Sequence, residues 1–251
     1  MRVIAIDIGN SFSKVGWRDQ EGLRHVSRVP TTSLDEYLGA HLNAGDRIGF
    51  CSVVPAASAA LRDLLSGRAW PSAFEVSHRV RLPFQMGYRT PETLGNDRIA
   101  AASGALLAYG REGTGVLVVD AGTAVTYEVV TADRVYRGGA IAPGPLLQAG
   151  ALRTGTAQLP EVSDPPSGGP IGDSTLEAIR SGVWCGFVDA VRGMVERLRA
   201  ESGPVVTVLT GGWAAYLSRE LAVFDIVDPH LVLDGVLRLM ELNATPAPRP
   251  S

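Results

Sequence analysis

The chain has 251 residues, a formal net charge of −3 and 45% hydrophobic residues. Its length fits one large domain or two smaller lobes, and its hydrophobic content is sufficient for a substantial core. The charge balance and the scattered basic residues argue against nucleic-acid binding, and no apolar run is long enough to span a membrane. Because the first predicted strand follows Met1 and Arg2 directly, we expect no secretory leader and a cytoplasmic protein.

The first half of the chain predicts an order of strands and helices that is typical of a ribonuclease-H-like unit. Apolar runs separated by turn residues indicate a meander of three strands over 3–7, 13–18 and 23–29. The predicted elements that follow are a helix over 33–42, a strand over 48–54, a helix over 56–66, a strand over 73–76 and an alanine-rich helix over 91–110.

The second half repeats this plan. The predicted elements are strands over 115–120, 123–130 and 133–137, a turn-rich loop over 138–144, helices over 145–155 and 173–200, a strand over 205–209, a helix over 213–220, a strand over 223–227 and a helix over 230–242. We therefore predict a duplicated α/β fold of the actin-like ATPase type, with two ribonuclease-H-like lobes, 1–112 and 113–243, around a central nucleotide cleft. The proline-rich tail over 244–251 is expected to be disordered.

Two strand ends, one in each half, carry the same kinds of residues. The first runs from Asp7 to Ser11 and the second from Asp120 to Thr123. Glycine in each turn lets backbone N–H groups approach phosphate oxygens, while the carboxylates can hold cations. Lys14, the only lysine of the chain, adds a positive charge to the first copy. The alternative is that each aspartate and glycine merely close a β-hairpin, although the repetition favours phosphate binding.

A second group, Gly95-Asn96-Asp97-Arg98, lies within the predicted alanine-rich helix. Asp97 can accept a proton from a hydroxyl nucleophile, and Arg98 can bind a carboxylate through two parallel hydrogen bonds. The alternative is an ordinary acidic residue at a helix N-terminus with a neighbouring ion pair. These four residues alone leave both interpretations open.

The motifs taken together resemble those of a known family, the type III pantothenate kinases. This family belongs to the fold group of acetate kinase, sugar kinases, Hsp70 and actin. Besides the motifs above, the resemblance rests on Gly138 to Gly144, Gly172 to Thr175 and Leu231 to Gly235, which follow in the family order with similar spacing. It extends from Asp7 to about Gly235.

The resemblance implies ATP-dependent phosphorylation of pantothenate to 4′-phosphopantothenate, the first step of coenzyme A synthesis. It further implies a homodimer that uses Mg²⁺ and a monovalent cation, K⁺ or NH₄⁺. Asp97 would be the general base, Asp120 would bind the monovalent cation, and Asp7 would also help to place Mg²⁺. The implied ATP-binding residues are Asp7, Ile8, Gly9, Asn10, Ser11, Phe12, Ser13, Lys14 and Thr123. The implied pantothenate contacts are Tyr88, Gly95, Asn96, Asp97, Arg98 and Thr175.

One position departs from the family pattern, because Glu128 stands where many relatives have aspartate and its extra methylene changes the reach of the carboxylate. Two other functions also fit the fold. One is phosphorylation of another small molecule, or a phosphatase activity, which the short chain and the Gly95 to Arg98 element disfavour. The other is a non-catalytic nucleotide-binding regulatory protein, which the intact base and phosphate motifs disfavour.

Overall fold

The computed structural model describes residues 2–19, 22–67 and 73–244. The strands within these ranges are β1 (Val3–Ile8), β2 (Phe12–Asp19), β3 (Gly22–Pro30), β4 (Arg47–Ser52), β5 (Phe74–Glu75), β6 (Gln85–Met86), β7 (Gly115–Ala121), β8 (Ala124–Val130), β9 (Val135–Pro143), β10 (Val205–Thr210) and β11 (Ile226–Val227). The α-helices are α1 (Leu34–His41), α2 (Pro55–Gly67), α3 (Asn96–Tyr109), α4 (Pro145–Gly155), α5 (Thr175–Ser202), α6 (Ala214–Glu220) and α7 (Leu231–Leu242). None of these helices combines the length and apolar character needed to cross a bilayer.

The chain divides into two compact units with the same strand order. In the first unit, β1, β2 and β3 form an antiparallel meander, and β4 and β5 continue the sheet in parallel, which gives the order β3-β2-β1-β4-β5. In the second unit, β7, β8 and β9 form the meander and β10 and β11 the parallel extension, which gives β9-β8-β7-β10-β11. The predicted duplicated α/β fold is thereby confirmed.

Side-chain alternation along β1 separates the core face from the opposite face of the first sheet. Ile4, Ile6 and Ile8 pack in one apolar cluster with residues of α1 and α2. Because successive side chains of a strand point to opposite faces, Asp7 lies on the other face. The same alternation in β7 directs Leu117, Val119 and Ala121 into a cluster with residues of α5. It therefore leaves Asp120 on the opposite face.

The last helix, α7, packs in the first unit although it comes last in the sequence. The units comprise residues 1–109 with 230–251, and residues 110–229. The predicted lobes meet near the same place, at 112 and 113, but the second was expected to include the helix over 230–242. Helix α7 contacts α3 through glycines: a Cβ on Gly235 would lie 1.9 Å from the carbonyl oxygen of Ala100, and one on Gly104 would lie 3.0 Å from the Cα of Gly235. The predicted tail, apart from Ala244, lies outside the described residues.

Two elements differ locally from their predictions. The helix predicted over 91–110 starts only at Asn96, because a 3-10 turn over Pro91–Thr93 ends in extended backbone at Leu94. The loop predicted over 138–144 is largely the end of β9. A Cβ on Gly139 would lie 1.7 Å from the carbonyl oxygen of Tyr127 on β8, so this glycine permits close strand pairing rather than a turn.

Candidate functional site

The β1–β2 hairpin carries the first predicted phosphate-binding segment. Asp7 and Lys14 are direct partners across the two strands, so their side chains share the face opposite the Ile4–Ile6–Ile8 cluster. Ser11 is exposed in the connecting turn. A Cβ on Gly9 would lie 2.8 Å from the carbonyl oxygen of Phe12, so the turn is too tight for a side chain at this position. The hairpin therefore combines a carboxylate, an ammonium group and accessible backbone.

Thr31, which the sequence analysis did not assign to the site, holds this turn from the 3-10 turn that follows β3. Its hydroxyl donates to the carbonyl oxygen of Gly9 at 2.7 Å and forms a hydrogen bond with the hydroxyl of Ser13 at 3.0 Å. Its backbone N–H donates to the carbonyl oxygen of Ser11 at 3.2 Å. These three bonds fix the turn before any ligand binds, and such preorganisation favours tight phosphate binding.

Cys51 on β4 links two of the predicted site residues. It is the parallel partner of Asp7, and its thiol donates to Oδ1 of Asp7 at 3.6 Å. Complete burial, together with the negative charges of Asp7 and Asp97, raises the pKa of the Cys51 thiol well above its usual value. Cys51 therefore stays a neutral donor, and both carboxylates lie close enough to act on it.

Asp97 lies in the first turn of α3. Its Oδ1 accepts a hydrogen bond from the backbone N–H of Arg98 at 2.8 Å. Burial raises the pKa of Asp97, although the Arg98 backbone hydrogen bond and the Arg98 charge oppose the shift. A raised pKa brings a carboxylate closer to the operating pH of an enzyme, which suits a general base. Arg98 itself is buried.

A groove of about 560 Å³ runs beside the same turn. Its lining residues are Ser52, Val53, Val54, Pro55, Ser58, Arg62, Glu75, Glu92, Thr93, Leu94, Gly95 and Asn96. This volume is within the range of small-molecule sites. Tyr88 is half-buried in the segment that precedes the turn. The first unit thus contains the Asp7–Lys14 hairpin and every predicted pantothenate contact except Thr175.

The second predicted hairpin lies in the second unit. Asp120 is the direct partner of Thr126 on β8 and of Thr210 on β10. Thr123 is exposed in the turn. Gly211 has a φ of 97°, and a Cβ there would lie 2.5 Å from Oδ1 of Asp120. Glycine at this position therefore keeps space beside the carboxylate.

The surroundings of Asp120 offer oxygen ligands for a cation. The hydroxyl of Thr210 is buried without a hydrogen-bonding partner in the described structure, which is costly unless a ligand satisfies it. Across residues 2–19, 22–67 and 73–244 there is no cluster of three or more histidine, cysteine or acidic side chains that could hold a metal ion. A carboxylate beside an unsatisfied hydroxyl supplies oxygen ligands of the kind that hard cations take. Sequence reasoning did not single out the Thr210 hydroxyl.

Thr175 begins helix α5 in the second unit. Ser174 caps this helix by accepting a hydrogen bond from the backbone N–H of Glu177 at 3.3 Å. The exposed Thr175 side chain lines an apolar cavity of about 570 Å³, together with residues of α4 and α5 such as Leu152 and Ile179.

Glu128, the departure from the family pattern, is fully buried and accepts a hydrogen bond from the Tyr136 hydroxyl.

Comparison with known proteins decides the family. The sequence model described as type III pantothenate kinase matches residues 3–197. A type III pantothenate kinase from Chlorobaculum parvum is 35% identical over 259 residues, covering 96% of this chain and 95% of the relative. One from Thermus thermophilus is 35% identical over 252 residues, covering 94% of this chain and 98% of the relative. The chain belongs to the type III pantothenate kinase family. It is a kinase, as the motifs predicted.

Solved structures support the fold of this family member. A Campylobacter jejuni protein described as a Baf family transcriptional activator superposes with a TM-score of 0.62 at 21% identity, covering 96% of this chain and 98% of that chain. An inorganic polyphosphate/ATP-glucomannokinase from Arthrobacter gives a TM-score of 0.51 at 16% identity, covering 97% and 99%. At these identities the similarity establishes the shared fold.

Gly95 leaves the space that the Asp97 carboxylate occupies. A Cβ on Gly95 would lie 2.5 Å from Oδ1 of Asp97, so Gly95→Ala must displace the carboxylate. Since a displacement of about 1 Å can cost 10²-fold in rate, we expect kcat to fall by about that factor with little change in thermal stability. Gly150→Ala is the control, because nothing lies within 4 Å of its added Cβ. Equal kcat values in the two variants would contradict this positioning.

Proposed function

We propose that this chain transfers the γ-phosphoryl group of ATP to the primary hydroxyl of pantothenate, yielding 4′-phosphopantothenate in the first step of coenzyme A synthesis. The observation that carries the proposal is the buried Asp97 carboxylate with its raised pKa, in the same unit as the Asp7–Lys14 hairpin. Family membership supports pantothenate as the acceptor.

In this mechanism the chain positions the reactants and balances charge, which is most of what phosphoryl transfer requires. Asp97 orients the pantothenate hydroxyl and takes up its proton. Lys14 and the backbone amides of the turn after Asp7 offset negative charge on the phosphates. The Arg98 guanidinium is suited to the pantothenate carboxylate, since its planar fork can donate two parallel hydrogen bonds.

The remaining predicted contacts stay part of the proposal. For pantothenate they are Tyr88, Gly95, Asn96 and Thr175; for ATP they are Ile8, Gly9, Asn10, Ser11, Phe12, Ser13 and Thr123. Asp7 would hold Mg²⁺, and its carboxylate is oriented for this by the hydrogen bond from Cys51. When bound, Mg²⁺ would neutralise charge on the β- and γ-phosphates.

We also propose that Asp120 and Thr210 hold the monovalent cation, K⁺ or NH₄⁺. A cation that binds only the native state stabilises it, by about 2.7 kcal/mol at 100 times its Kd. We therefore expect K⁺ to raise Tm over equimolar Na⁺ by about 5–10 °C at saturation. Thr210→Val should lose most of this difference while Thr210→Ser keeps it. Thermal melts in both salts measure the effect, and equal Tm values for the wild type in K⁺ and Na⁺ would contradict a selective site.

A cytoplasmic homodimer is the proposed assembly. In the second unit, β9, α4 and the segment before α5 expose large apolar side chains, which are Ile141, Leu146, Leu147, Leu152 and Ile171. Exposed apolar patches of this kind often mark protein interfaces. Light scattering coupled to size exclusion should give twice the mass of one chain.

The function itself is tested by phosphate transfer from ATP to pantothenate in K⁺ buffer with Mg²⁺. We expect a product with the mass of 4′-phosphopantothenate, and no comparable product with a panel of sugars or acetate as acceptors. Transfer to a sugar instead would indicate another kinase of the same fold. ATP binding without transfer to any acceptor would favour the regulatory alternative.

A further inference from the structure

Arg28 on β3 lies beside the phosphate-binding hairpin, and the mechanism above does not use it. It is the direct antiparallel partner of Lys14, which in turn is the direct partner of Asp7. Direct partners in an antiparallel pair present their side chains on the same face. Arg28, Lys14 and Asp7 therefore form one row across three neighbouring strands, on the face opposite the Ile4–Ile6–Ile8 cluster.

An aromatic platform holds the Arg28 side chain. Its guanidinium carbon lies 3.7 Å from the ring centroid of Phe12, which indicates a cation–π contact. Phe12 precedes Lys14 by two residues on β2, so it shares the face of the row. It is 43% exposed, so its ring is accessible to the Arg28 guanidinium at the surface.

The charges of the hairpin supply the reason for a second cation. Two charged side chains of the first hairpin belong to the proposed ATP site, Asp7 and Lys14, and their opposite charges sum to zero. ATP keeps a net negative charge even when Mg²⁺ is bound to its phosphates, so a neutral hairpin gives it little electrostatic attraction. Arg28 adds the missing positive charge. Within the described residues no carboxylate forms an ion pair with Arg28, and the contact with the Phe12 ring uses none of its N–H groups for an ion pair.

We propose that Arg28 is a further ATP-binding residue that donates hydrogen bonds to the terminal phosphates, with Phe12 holding its guanidinium in place. The inference rests on the proposed use of ATP at the Asp7–Lys14 hairpin. A planar guanidinium can bind a phosphate through two N–H groups at once, which an ammonium group cannot do. A purely structural role, in which Arg28 only covers Phe12, is the alternative that the experiment must separate.

The test is calorimetric binding of ATP and ADP, each with Mg²⁺ and without pantothenate. Arg28→Gln removes a charged hydrogen-bond donor, so we expect it to weaken ATP binding about tenfold or more. Its effect on ADP binding should be smaller. Arg28→Lys should recover part of the loss, because it keeps the charge but not the fork. Phe12→Leu should weaken ATP binding by a smaller factor, because the arginine loses its platform. Arg192→Gln, a change of an exposed arginine paired with Asp189 on α5, is the matched control and should leave ATP affinity unchanged.

Thermal melts of the same variants separate binding from folding. An ATP affinity of Arg28→Gln equal to that of the wild type would overturn the inference, whether or not its Tm falls. Equal losses for ATP and ADP would overturn the assignment to the terminal phosphate. If the wild type fails to phosphorylate pantothenate but Arg28→Gln still weakens ATP binding, the inference holds and the proposed function fails.

Discussion

Asp97→Asn is expected to lower kcat for pantothenate phosphorylation by about 10²- to 10⁴-fold, the usual contribution of general-base catalysis. Asparagine has nearly the same shape and can still accept the hydrogen bond from the Arg98 backbone at the N-terminus of α3. It cannot take up the proton of the substrate hydroxyl. Steady-state kinetics should therefore show the loss in kcat, while calorimetry shows ATP and pantothenate affinities close to those of the wild type.

The raised pKa of Asp97 also predicts how Asp97→Asn changes thermal stability. In the pH window between the unfolded and the raised native pKa, the native state holds a proton that the unfolded chain has lost. The contribution of Asp97 to the free energy of unfolding therefore decreases as pH rises through this window. At neutral pH its buried, ionised carboxylate destabilises the native state. We expect the Tm of Asp97→Asn at neutral pH to equal or exceed that of the wild type. Turnover near the wild-type level in this folded variant would exclude Asp97 as the base.

Gly235→Ala should cause the largest loss of stability among the substitutions considered. Its Cβ would lie 1.9 Å from the carbonyl oxygen of Ala100, and backbone atoms cannot move aside as a flexible side chain can. Overpacking of this kind costs about 1–3 kcal/mol, which corresponds to about 2–12 °C in Tm. Activity should fall as well, because α7 supports α3, whose first turn carries Asp97.

Gly193→Ala is the matched control for this prediction. Gly193 also lies in a helix, but nothing is within 4 Å of its added Cβ. Alanine is favoured over glycine in helices by about 1 kcal/mol, so the control should be as stable as the wild type or more so. Thermal melts of the two variants, side by side, measure the difference. Similar Tm values would show that α3 and α7 are packed less closely than the structure indicates.

The parts of this fold that depend on local patterns could be predicted from the sequence. The alternation of Ile4, Ile6 and Ile8 with Asp7 fixes which face of β1 meets the core. The same pattern recurs around Asp120, which made the duplication visible without a structure. The placement of α7 could not be predicted in this way, because it depends on glycines at positions 104 and 235 that meet only in the folded protein.

The candidate site was predictable to the same extent. The sequence motifs single out three candidate residues: Asp7 and Asp120, each near the end of a strand, and Asp97, in the first turn of a helix. The side chains beside them were missed. Strand register brings Cys51 to Asp7, Thr210 to Asp120 and Arg28 to Lys14. A hydrogen bond from the turn after β3 brings Thr31 to the carbonyl oxygen of Gly9. Register depends on pairings between residues far apart in the sequence, and short motifs do not encode it.

The return of α7 to the first unit has a consequence for biosynthesis. Residues 110–229 form a contiguous unit, whereas the first unit needs residues from both sides of it. Since domains generally fold as units while the ribosome is still translating, the second unit can fold on the nascent chain before the first. The helix that carries Asp97 gains its glycine-packed neighbour only when α7 has emerged. Translation that stops before His230 would therefore leave a folded second unit next to an incomplete first one, so a truncated product should be inactive and prone to proteolysis.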